Sequence, residues 1–208
     1  MSQDFLVSQR RVLILLHPKR ESALTAALEI GRGLAAAGIA VEQHLSSDGT
    51  GVPEITRYSG RSITDFELIL VLGGDGTMLR SAELSYGSTV PILGINVGHM
   101  GFLAEVERPS NSDVVRAIIE RQFTYEERMS LSFAIERHGE VIASGWALNE
   151  IVIEKESSQM VELFVSVDDR PLSLWNCDGV LCATPTGSTA YAFGRWASRL
   201  ARCRRIGP

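Results

Sequence analysis

The residues of this chain best suited to chemistry lie in one stretch, Leu70–Thr77, where an apolar run ends in Gly-Gly-Asp-Gly-Thr. Its three glycines permit positive φ angles and allow the backbone to approach a ligand without a Cβ clash. A helix that begins near Thr77 would direct unpaired N–H groups toward an anion. The stretch therefore predicts a phosphate-binding turn in which Asp75 is the one carboxylate. A tight turn with no ligand is the alternative for these residues alone.

A second stretch, Asp178–Tyr191, passes from an apolar segment into a turn that is dense in small hydroxyl side chains. Hydroxyl and backbone groups of this kind can donate to phosphate or ribose oxygens while leaving room for the ligand. A helix that starts near Ser188 or Thr189 would be capped by them. The alternative is a cap that serves only its own helix.

A third candidate is the pair Asn149-Glu150, at the entrance of a predicted strand. A carboxamide beside a carboxylate can bind the edge of an adenine or the hydroxyls of a ribose, because Asn offers donors and acceptors and Glu accepts two bonds. Adjacent Asn and Glu side chains at a strand entrance are also commonly just solvated. The pair alone leaves both interpretations open.

Other phosphate-binding and catalytic motifs are absent from the sequence. There is no Gly-x-x-x-x-Gly-Lys-Ser/Thr loop, and Gly94–Gly101 does not have the spacing of a Gly-x-Gly-x-x-Gly dinucleotide fingerprint. The four histidines have no Ser or Cys partner at motif spacing, which gives no support to a hydrolytic triad. Neither a disulfide framework nor a structural metal is predicted, because paired spacing is lacking among Cys177, Cys182 and Cys203.

The composition is that of an ordinary globular protein, with 208 residues of which 45% are hydrophobic. The formal net charge of -5 gives no general attraction to nucleic acid or to an anionic membrane. The early apolar run Val12–Leu16 is too short to span a bilayer, and His17-Pro18 follows it in place of a cleavage site. We therefore expect a cytoplasmic protein with no nucleic-acid or membrane partner.

The first part of the chain alternates between apolar strand patterns and helical patterns, which predicts a parallel sheet with right-handed crossovers and helices on both faces. Ligands bind such sheets outside the carboxyl ends of the strands, where the Asp75 turn and the Asn96–Gly101 turn both lie. We expect a long surface loop with little core of its own over Ser46–Arg61. The predicted strands are Arg11–Leu16, Ile39–Leu45, Phe66–Leu72 and Val90–Ile95, and the predicted helices are Glu21–Ala37, Thr77–Ser85 and Asp113–Gln122.

After residue 125 the pattern changes to short strands, which we expect to form an antiparallel meander. The predicted strands are Met129–Glu136, Glu140–Ala147, Glu150–Glu154 and Val161–Asp168. The predicted organisation is an α/β domain over residues 1–125, a mainly antiparallel and partial β domain over residues 126–193, and a separate tail over residues 194–208.

Three stretches, taken in order, resemble the NAD kinases, specifically the bacterial ATP- or polyphosphate-dependent branch. They are Gly73–Thr77, Asn149-Glu150, and Asp178-Gly179 together with Thr184–Tyr191. The resemblance runs from about Arg11 to Phe193 and includes Leu93–Gly98 and Gly101–Leu103, which are similar to the family's second glycine turn. The Gly-Gly-Asp-Gly-Thr element alone is shared with diacylglycerol-type lipid kinases and, loosely, with phosphofructokinases. The fold that the resemblance implies is a Rossmann-like parallel-sheet domain followed by a mainly antiparallel β domain.

The resemblance implies transfer of a phosphoryl group from ATP or polyphosphate to the 2′-hydroxyl of the adenosine ribose of NAD, which gives NADP. It implies that Asp75 is the general base toward that hydroxyl or positions the metal beside it. Mg²⁺ or another divalent ion would bridge phosphate oxygens, and the chains would form a homo-oligomer. The binding residues that it implies are Gly73, Gly74, Gly76 and Thr77 at the phosphates, Arg80 at the anion, Asn149, Glu150 and Asp178 at the nucleoside, and Thr186, Gly187, Ser188, Thr189, Ala190 and Tyr191 around the dinucleotide.

The resemblance ends after Phe193, where the family continues with Ser-Ala-Gly-Gly-Pro and a long β-rich remainder. This chain continues instead as the basic segment Gly194–Pro208, which lacks strand alternation. Loss of a dinucleotide from a codon run for Phe-Ser-Ala-Gly-Gly-Pro would give Phe-Gly-Arg-Trp-Ala, so we interpret this segment as the product of a reading-frame change. We therefore expect an incomplete β domain whose open edges and exposed apolar faces favour aggregation.

Two further functions stay open on the sequence. One is a lipid kinase of the Gly-Gly-Asp-Gly-Thr type, which the nucleoside-like Asn149-Glu150 pair disfavours. The other is a non-catalytic module that binds a dinucleotide without turning it over, because part of the β domain is missing.

Overall fold

The structure is a computed structural model that describes residues 9–17, 19–45, 51–97, 109–156 and 159–190. Tyr191 and the predicted tail over residues 194–208 lie outside these ranges, as do residues 98–103 of the second glycine turn. The chain divides into two compact units, Met1–Glu126 and Glu127–Pro208. Within the described ranges, none of the helices combines the length and apolar content that crossing a bilayer requires.

The first unit is built on a parallel sheet of five strands among its described residues. The strand order is β3-β2-β1-β4-β5, and every pairing is parallel. The prediction of a parallel sheet is therefore confirmed. The strands are β1 (Arg11–Leu16), β2 (Ala40–His44), β3 (Thr56–Arg57), β4 (Leu68–Gly73) and β5 (Ile92–Asn96).

Helices cover both faces of this sheet, as the sequence predicts. Helices α1 (Glu21–Ala36) and α3 (Asn111–Glu120) pack on one face, through residues such as Ile30 and Ile118. Helix α2 (Asp75–Ser85) packs on the other face through Met78 and Leu84. Gly38 follows the end of α1 at a φ of +79°, a left-handed conformation that glycine adopts without strain.

The central strands β1 and β4 lie between the two helical layers, and this position explains their sequence. Five successive residues of β1, Val12–Leu16, are buried, and so is the whole of β4. A strand that is covered on both faces needs apolar side chains at every position rather than at alternate ones. The same continuous run carries the chain directly into the Gly-Gly-Asp-Gly-Thr turn.

The loop predicted over Ser46–Arg61 contributes to the core, so the expectation of little core is wrong for its described part. Val52 and Ile55 are buried against α1 and β2, and Thr56–Arg57 forms the edge strand β3. The cause is the buried amide of Gln43, which donates to the carbonyl oxygens of Val52 and Ile55 and accepts from the Val52 N–H at 2.7 Å. Because a side chain satisfies these backbone groups, the loop can fold inward.

The Gln43 clamp gives a direct test of this packing. We expect Gln43→Leu to lower the free energy of unfolding by about 2–4 kcal/mol, because three buried backbone groups lose their partner. Urea unfolding followed by helical circular dichroism measures the change. Gln122→Leu, at an exposed glutamine, is the control and is expected to stay within about 0.5 kcal/mol. Equal stabilities for the two variants would contradict the clamp.

The second unit contains antiparallel strand pairs in its described residues, but they do not form the predicted meander. Strand β8 pairs with β11 rather than with a sequence neighbour, while β6 pairs with β7 and β9 with β10. The β9–β10 hairpin is thus inserted between two strands that pair with each other. The strands are β6 (Leu131–Arg137), β7 (Glu140–Ala147), β8 (Glu150–Glu154), β9 (Val161–Val167), β10 (Arg170–Cys177) and β11 (Gly179–Ala183).

Burial differs sharply between the units. All the fully buried apolar side chains of the described residues lie in the first unit, and Phe164, Leu172 and Leu174 in the second unit are more than half exposed. Strand pairs without a packed apolar layer are marginally stable by themselves. The described part of the second unit is therefore held mainly by backbone pairing and by its turns.

Candidate active site

The first unit places Asp75 at the start of a helix, directly after the central strand β4. Helix α2 begins at Asp75 with Gly74 as its N-cap, two residues earlier than the predicted start at Thr77. A carboxylate in the first helical turn interacts favourably with the helix dipole. The N–H groups of Thr77 and Met78 donate to the Gly74 carbonyl at 3.0 and 3.1 Å, and the positive end of the helix dipole at this turn favours an anion.

The glycines of this turn act differently from the prediction. None of Gly73, Gly74 and Gly76 has a positive φ, so left-handed backbone is not the reason for them. A Cβ on Gly73 would lie 2.5 Å from the Thr77 Oγ1, so this position has no room for a side chain. Among the described residues, and apart from the chain neighbours and the backbone of α2 itself, a Cβ on Gly74 or Gly76 would meet no atom within 4 Å, which leaves the backbone there open to close approach.

The surroundings of the turn agree with ligand binding at the carboxyl ends of the strands. Gly73 is the register partner of Asn96, so the ends of β4 and β5 lie side by side as the sequence predicts. A small hollow beside the turn is lined by Leu15, Leu16, His44, Thr77 and Arg80. The strand order changes direction between β1 and β4, and ligands of open α/β sheets bind at such a switch point. Arg80 and Thr77 therefore lie at the predicted phosphate end.

The second unit carries the Asn149-Glu150 pair where β7 turns into β8. The Oδ1 of Asn149 and the Oε2 of Glu150 are buried and have no hydrogen-bond partner among the described residues. Burial raises the pKa of the Glu150 carboxyl above its usual range. Buried acceptors without donors are costly, so the pair is suited to a ligand that brings hydroxyl or amino donors.

The hydroxyl-rich turn folds back onto this pair through Thr184. Ala183 pairs with Glu150 in the β8–β11 register, and the next residue, Thr184, donates its N–H to the Asn149 carbonyl at 2.8 Å. A single 3₁₀ turn follows over Gly187–Thr189. Its hydroxyls serve the turn itself, since Ser188 Oγ donates to the Pro185 carbonyl and Thr189 Oγ1 to the Thr186 carbonyl. The helix predicted to start near Ser188 or Thr189 would run into residues beyond 190, which lie outside the described ranges.

Gly187 lies directly against the backbone of Asn149. A Cβ built on Gly187 would be 2.1 Å from the Asn149 carbonyl oxygen and 2.3 Å from its carbonyl carbon. No side chain fits this contact, so glycine is required for close approach rather than for φ. Thr186 and Gly187 are buried, and Ala190 closes the turn by donating its N–H to the Gly187 carbonyl at 2.9 Å.

Asp178 connects β10 to β11 and is largely exposed. Its Oδ1 lies 2.5 Å from the Lys155 Nζ, and the Asp178 carbonyl accepts from the Lys155 N–H at 2.9 Å. Neither Lys155 nor Thr184 has an individual role in the predictions from the sequence. Thr184 stands in the quoted motif, but nothing in the local sequence shows that it pairs with Asn149. Lys155 directly follows β8 and belongs to none of the sequence motifs.

The structure thus forms two clusters, one in each unit. The cluster in the first unit lies at the end of β4 and consists of Gly73, Gly74, Asp75, Gly76, Thr77 and Arg80. The cluster in the second unit lies at one end of the β8–β11 pair and consists of Asn149, Glu150 and Thr186–Ala190. Asp178 lies at the opposite end of that strand pair. The first cluster lies at the switch point of a parallel α/β sheet, which is the position where proteins of this class bind ligands.

Comparison with known proteins identifies the family. The family model for the ATP-NAD kinase N-terminal domain matches residues 12–123, and that for the ATP-NAD kinase C-terminal domain matches residues 148–200. The chain belongs to the NAD kinase family.

Curated relatives agree with this assignment. The chain is 46% identical over 200 residues to an NAD kinase of Thermobifida fusca, covering 89% of this chain and 61% of the relative. It is 39% identical over 191 residues to NAD kinase 2 of Streptomyces coelicolor, covering 88% of this chain and 63% of the relative. The chain therefore spans somewhat less than two thirds of the length of these relatives.

Solved structures show the same fold. A yeast NADH kinase complexed with NADH aligns with a TM-score of 0.73 at 24% identity, covering 90% of this chain and 61% of that one. An NAD kinase from Archaeoglobus fulgidus in complex with ATP aligns with a TM-score of 0.61 at 25% identity, covering 88% of this chain and 64% of that one. The predicted fold class, a Rossmann-like parallel-sheet domain followed by antiparallel β strands, is confirmed.

The contact at Gly187 predicts the effect of a single added methyl group. We expect Gly187→Ala to separate the 3₁₀ turn from Asn149 and to lower the stability of the second unit by about 1–3 kcal/mol. Tryptophan fluorescence reports on this unit alone, because all three tryptophans follow residue 126. The control is Gly76→Ala, where the methyl meets no atom within 4 Å. A Gly187→Ala variant as stable as the wild type would contradict the contact.

The raised pKa of Glu150 predicts a pH dependence of stability. The folded unit holds the carboxyl proton more tightly than the unfolded chain, so this group disfavours the folded state as pH rises. We expect stability to fall from about pH 4, the ordinary glutamate range, up through the raised pKa of Glu150. Glu150→Gln should flatten this fall in urea unfolding followed by tryptophan fluorescence.

The control for the pH measurement is Glu162→Gln, at an exposed carboxyl of β9. This variant is expected to keep the wild-type pH profile. Equal flattening in both variants, or none in Glu150→Gln, would contradict the assignment of the pH dependence to burial of Glu150.

Proposed function

We propose that this chain is an NAD kinase, which transfers a phosphoryl group from ATP or polyphosphate to the 2′-hydroxyl of the adenosine ribose of NAD and forms NADP. The observation that carries the proposal is a pair of buried acceptors, Asn149 Oδ1 and Glu150 Oε2, which have no donor in the part of the chain that the structure describes. An adenosine offers matching donors in its amino group and ribose hydroxyls. Membership of the NAD kinase family supports the same substrate.

The reaction exchanges one O–P bond for another. The ribose 2′-oxygen bonds to the terminal phosphorus of the donor, the bond from that phosphorus to the bridging oxygen breaks, and the hydroxyl proton passes to the Asp75 carboxylate. A carboxylate is a far weaker base than a ribose alkoxide, so it accepts the proton late, when the new O–P bond is largely formed. Phosphoryl transfer depends chiefly on positioning and charge neutralisation, which are the tasks we assign to the remaining residues.

The residues around Asp75 are suited to a phosphate chain. The open backbone at Gly74 and Gly76 lets phosphate oxygens approach the first N–H groups of α2. Arg80, one turn further along α2, supplies a cation at the neighbouring hollow. These groups would neutralise charge on the donor while Asp75 faces the acceptor hydroxyl.

The donor set of the described residues fits a divalent ion that arrives with the nucleotide. No group of three or more His, Cys, Asp or Glu side chains within those residues could hold a metal. Mg²⁺ usually takes one or two carboxylates together with substrate phosphates and water, and Asp75 would be such a carboxylate. When bound, the ion would neutralise charge on the donor phosphates. The cytoplasmic location and the homo-oligomer stay predictions.

The sharpest test of the proposal is Asp75→Asn. We expect this variant to lose NADP formation by about 100-fold or more, because the amide cannot accept the proton, while NAD affinity stays within about threefold. Coupled NADP assays and calorimetric NAD titration measure the two quantities. The control is Asp65→Asn, at an exposed aspartate of the first unit, which is expected to leave both unchanged.

Each result for the wild type and the variant has a distinct meaning. An unchanged rate in Asp75→Asn would remove Asp75 from the chemistry. NAD binding by the wild type without NADP formation would select the non-catalytic dinucleotide-binding module. Phosphorylation of diacylglycerol but not of NAD would select the lipid kinase, which the acceptor pair disfavours.

A further inference from the structure

The hydroxyl of Thr184 makes two hydrogen bonds that join separate turns of the second unit. Its Oγ1 donates to the Leu148 carbonyl at 2.6 Å and accepts from the Gly187 N–H at 3.0 Å. The side chain is almost completely buried, with 1% of the residue exposed. A hydroxyl has one donor and two acceptor positions, so this one is used in both directions.

The backbone of Thr184 adds two further bonds at the same place. Its N–H donates to the Asn149 carbonyl at 2.8 Å, and its carbonyl accepts from the Ser188 N–H at 3.0 Å. Thr184 therefore contacts Leu148 and Asn149 on one turn, and Gly187 and Ser188 on the other. One residue connects the turn that precedes Glu150 with the turn rich in hydroxyls.

The two residues bonded by the Thr184 hydroxyl both flank Asn149. Leu148 precedes Asn149 in the chain, and Gly187 lies so close to the Asn149 carbonyl that no Cβ fits between them. The Asn149 side chain, with its unpartnered Oδ1, thus stands on backbone that is fixed from both sides. Glu150 follows at once as the first residue of β8 and pairs with Ala183, the neighbour of Thr184.

We propose that Thr184 is a positioning residue of the nucleoside site, whose hydroxyl holds the Asn149-Glu150 acceptor pair in the orientation that receives the donors of NAD. The inference rests on the proposed function, because it assigns the pair to NAD. Thr184 itself touches no substrate in this account. It acts through Leu148 and Gly187, and its effect falls on binding of NAD rather than on the phosphoryl transfer step.

The test compares Thr184→Val, which keeps the shape and removes the hydroxyl, with Thr184→Ser, which keeps the hydroxyl. We expect Thr184→Val to weaken NAD affinity by about tenfold or more and Thr184→Ser by less than about threefold, because only the valine leaves the Leu148 carbonyl and the Gly187 N–H without a partner. In NADP assays the loss should appear in KM for NAD and leave kcat within about threefold. The control is Thr25→Val, where an exposed hydroxyl bonds the Glu21 carbonyl of α1.

A double-mutant cycle separates positioning from a general structural role. If Thr184 acts through the acceptor pair, Thr184→Val should weaken NAD affinity by less than about twofold once Glu150→Ala and Asn149→Ala have removed that pair. If Thr184→Val weakens NAD affinity as strongly in the variant without the acceptor pair as in the wild type, the inference is overturned. Wild-type NAD affinity in Thr184→Val, or equal losses in the serine and valine variants, would overturn it as well.

Amide hydrogen exchange keeps the inference testable if the proposed function fails. A wild-type chain that binds no NAD would contradict the proposed function, but the Gly187 amide should still exchange at least about tenfold faster in Thr184→Val than in Thr184→Ser. Equal exchange in the two variants would overturn the positioning role. Complete loss of protection along β8 and β11 in both Thr184→Val and Thr184→Ala would show that the hydroxyl maintains the strand pair as a whole, and would also overturn it.

Discussion

Two buried oxygens that have no donor among the described residues, Asn149 Oδ1 and Glu150 Oε2, are the constraint around which the described part of the second unit is arranged. Leaving such acceptors unpaired costs free energy, and the raised pKa of Glu150 is one expression of that cost. The fold tolerates it because the backbone beneath the pair is fixed by the β8–β11 pairing and by Thr184. A nucleoside that supplies donors would remove this free-energy cost, so its binding would also stabilise the local fold.

In the first unit the position of Asp75 is fixed by the packed apolar core. Continuous burial of β1 and β4 between two helical layers fixes where β4 ends, and α2 then starts at Asp75 without a connecting loop. The carboxylate of Asp75 and the first turn of the helix are thus placed by the core itself. The second unit has no comparable apolar core in its described residues. The backbone around Asp75 in the first unit is therefore held by packing, while the backbone around Asn149 and Glu150 in the second unit is held by hydrogen bonds.

Local patterns were sufficient to predict most of the elements, because apolar runs and glycine turns consist of adjacent residues, but they did not predict strands β3 and β10. They failed where the outcome depended on distant partners. The pairing of β8 with β11, the inward fold of the loop held by Gln43 and the hydrogen bonds of Thr184 all join residues that are apart in sequence. The glycines of the Asp75 turn were found for a partly wrong reason, since none of them has a positive φ and Gly73 instead makes a close contact with Thr77.

The central claim is that Asn149 and Glu150 receive the nucleoside of NAD. Nuclear magnetic resonance of the isotopically labelled chain, titrated with NAD, tests it most directly. The account predicts saturable changes in the side-chain amide signal of Asn149 and in the carboxyl signal of Glu150, together with the Gly187 amide that rests on the same backbone. Saturable binding of NAD that leaves all three signals unchanged, or no binding at all, would contradict it.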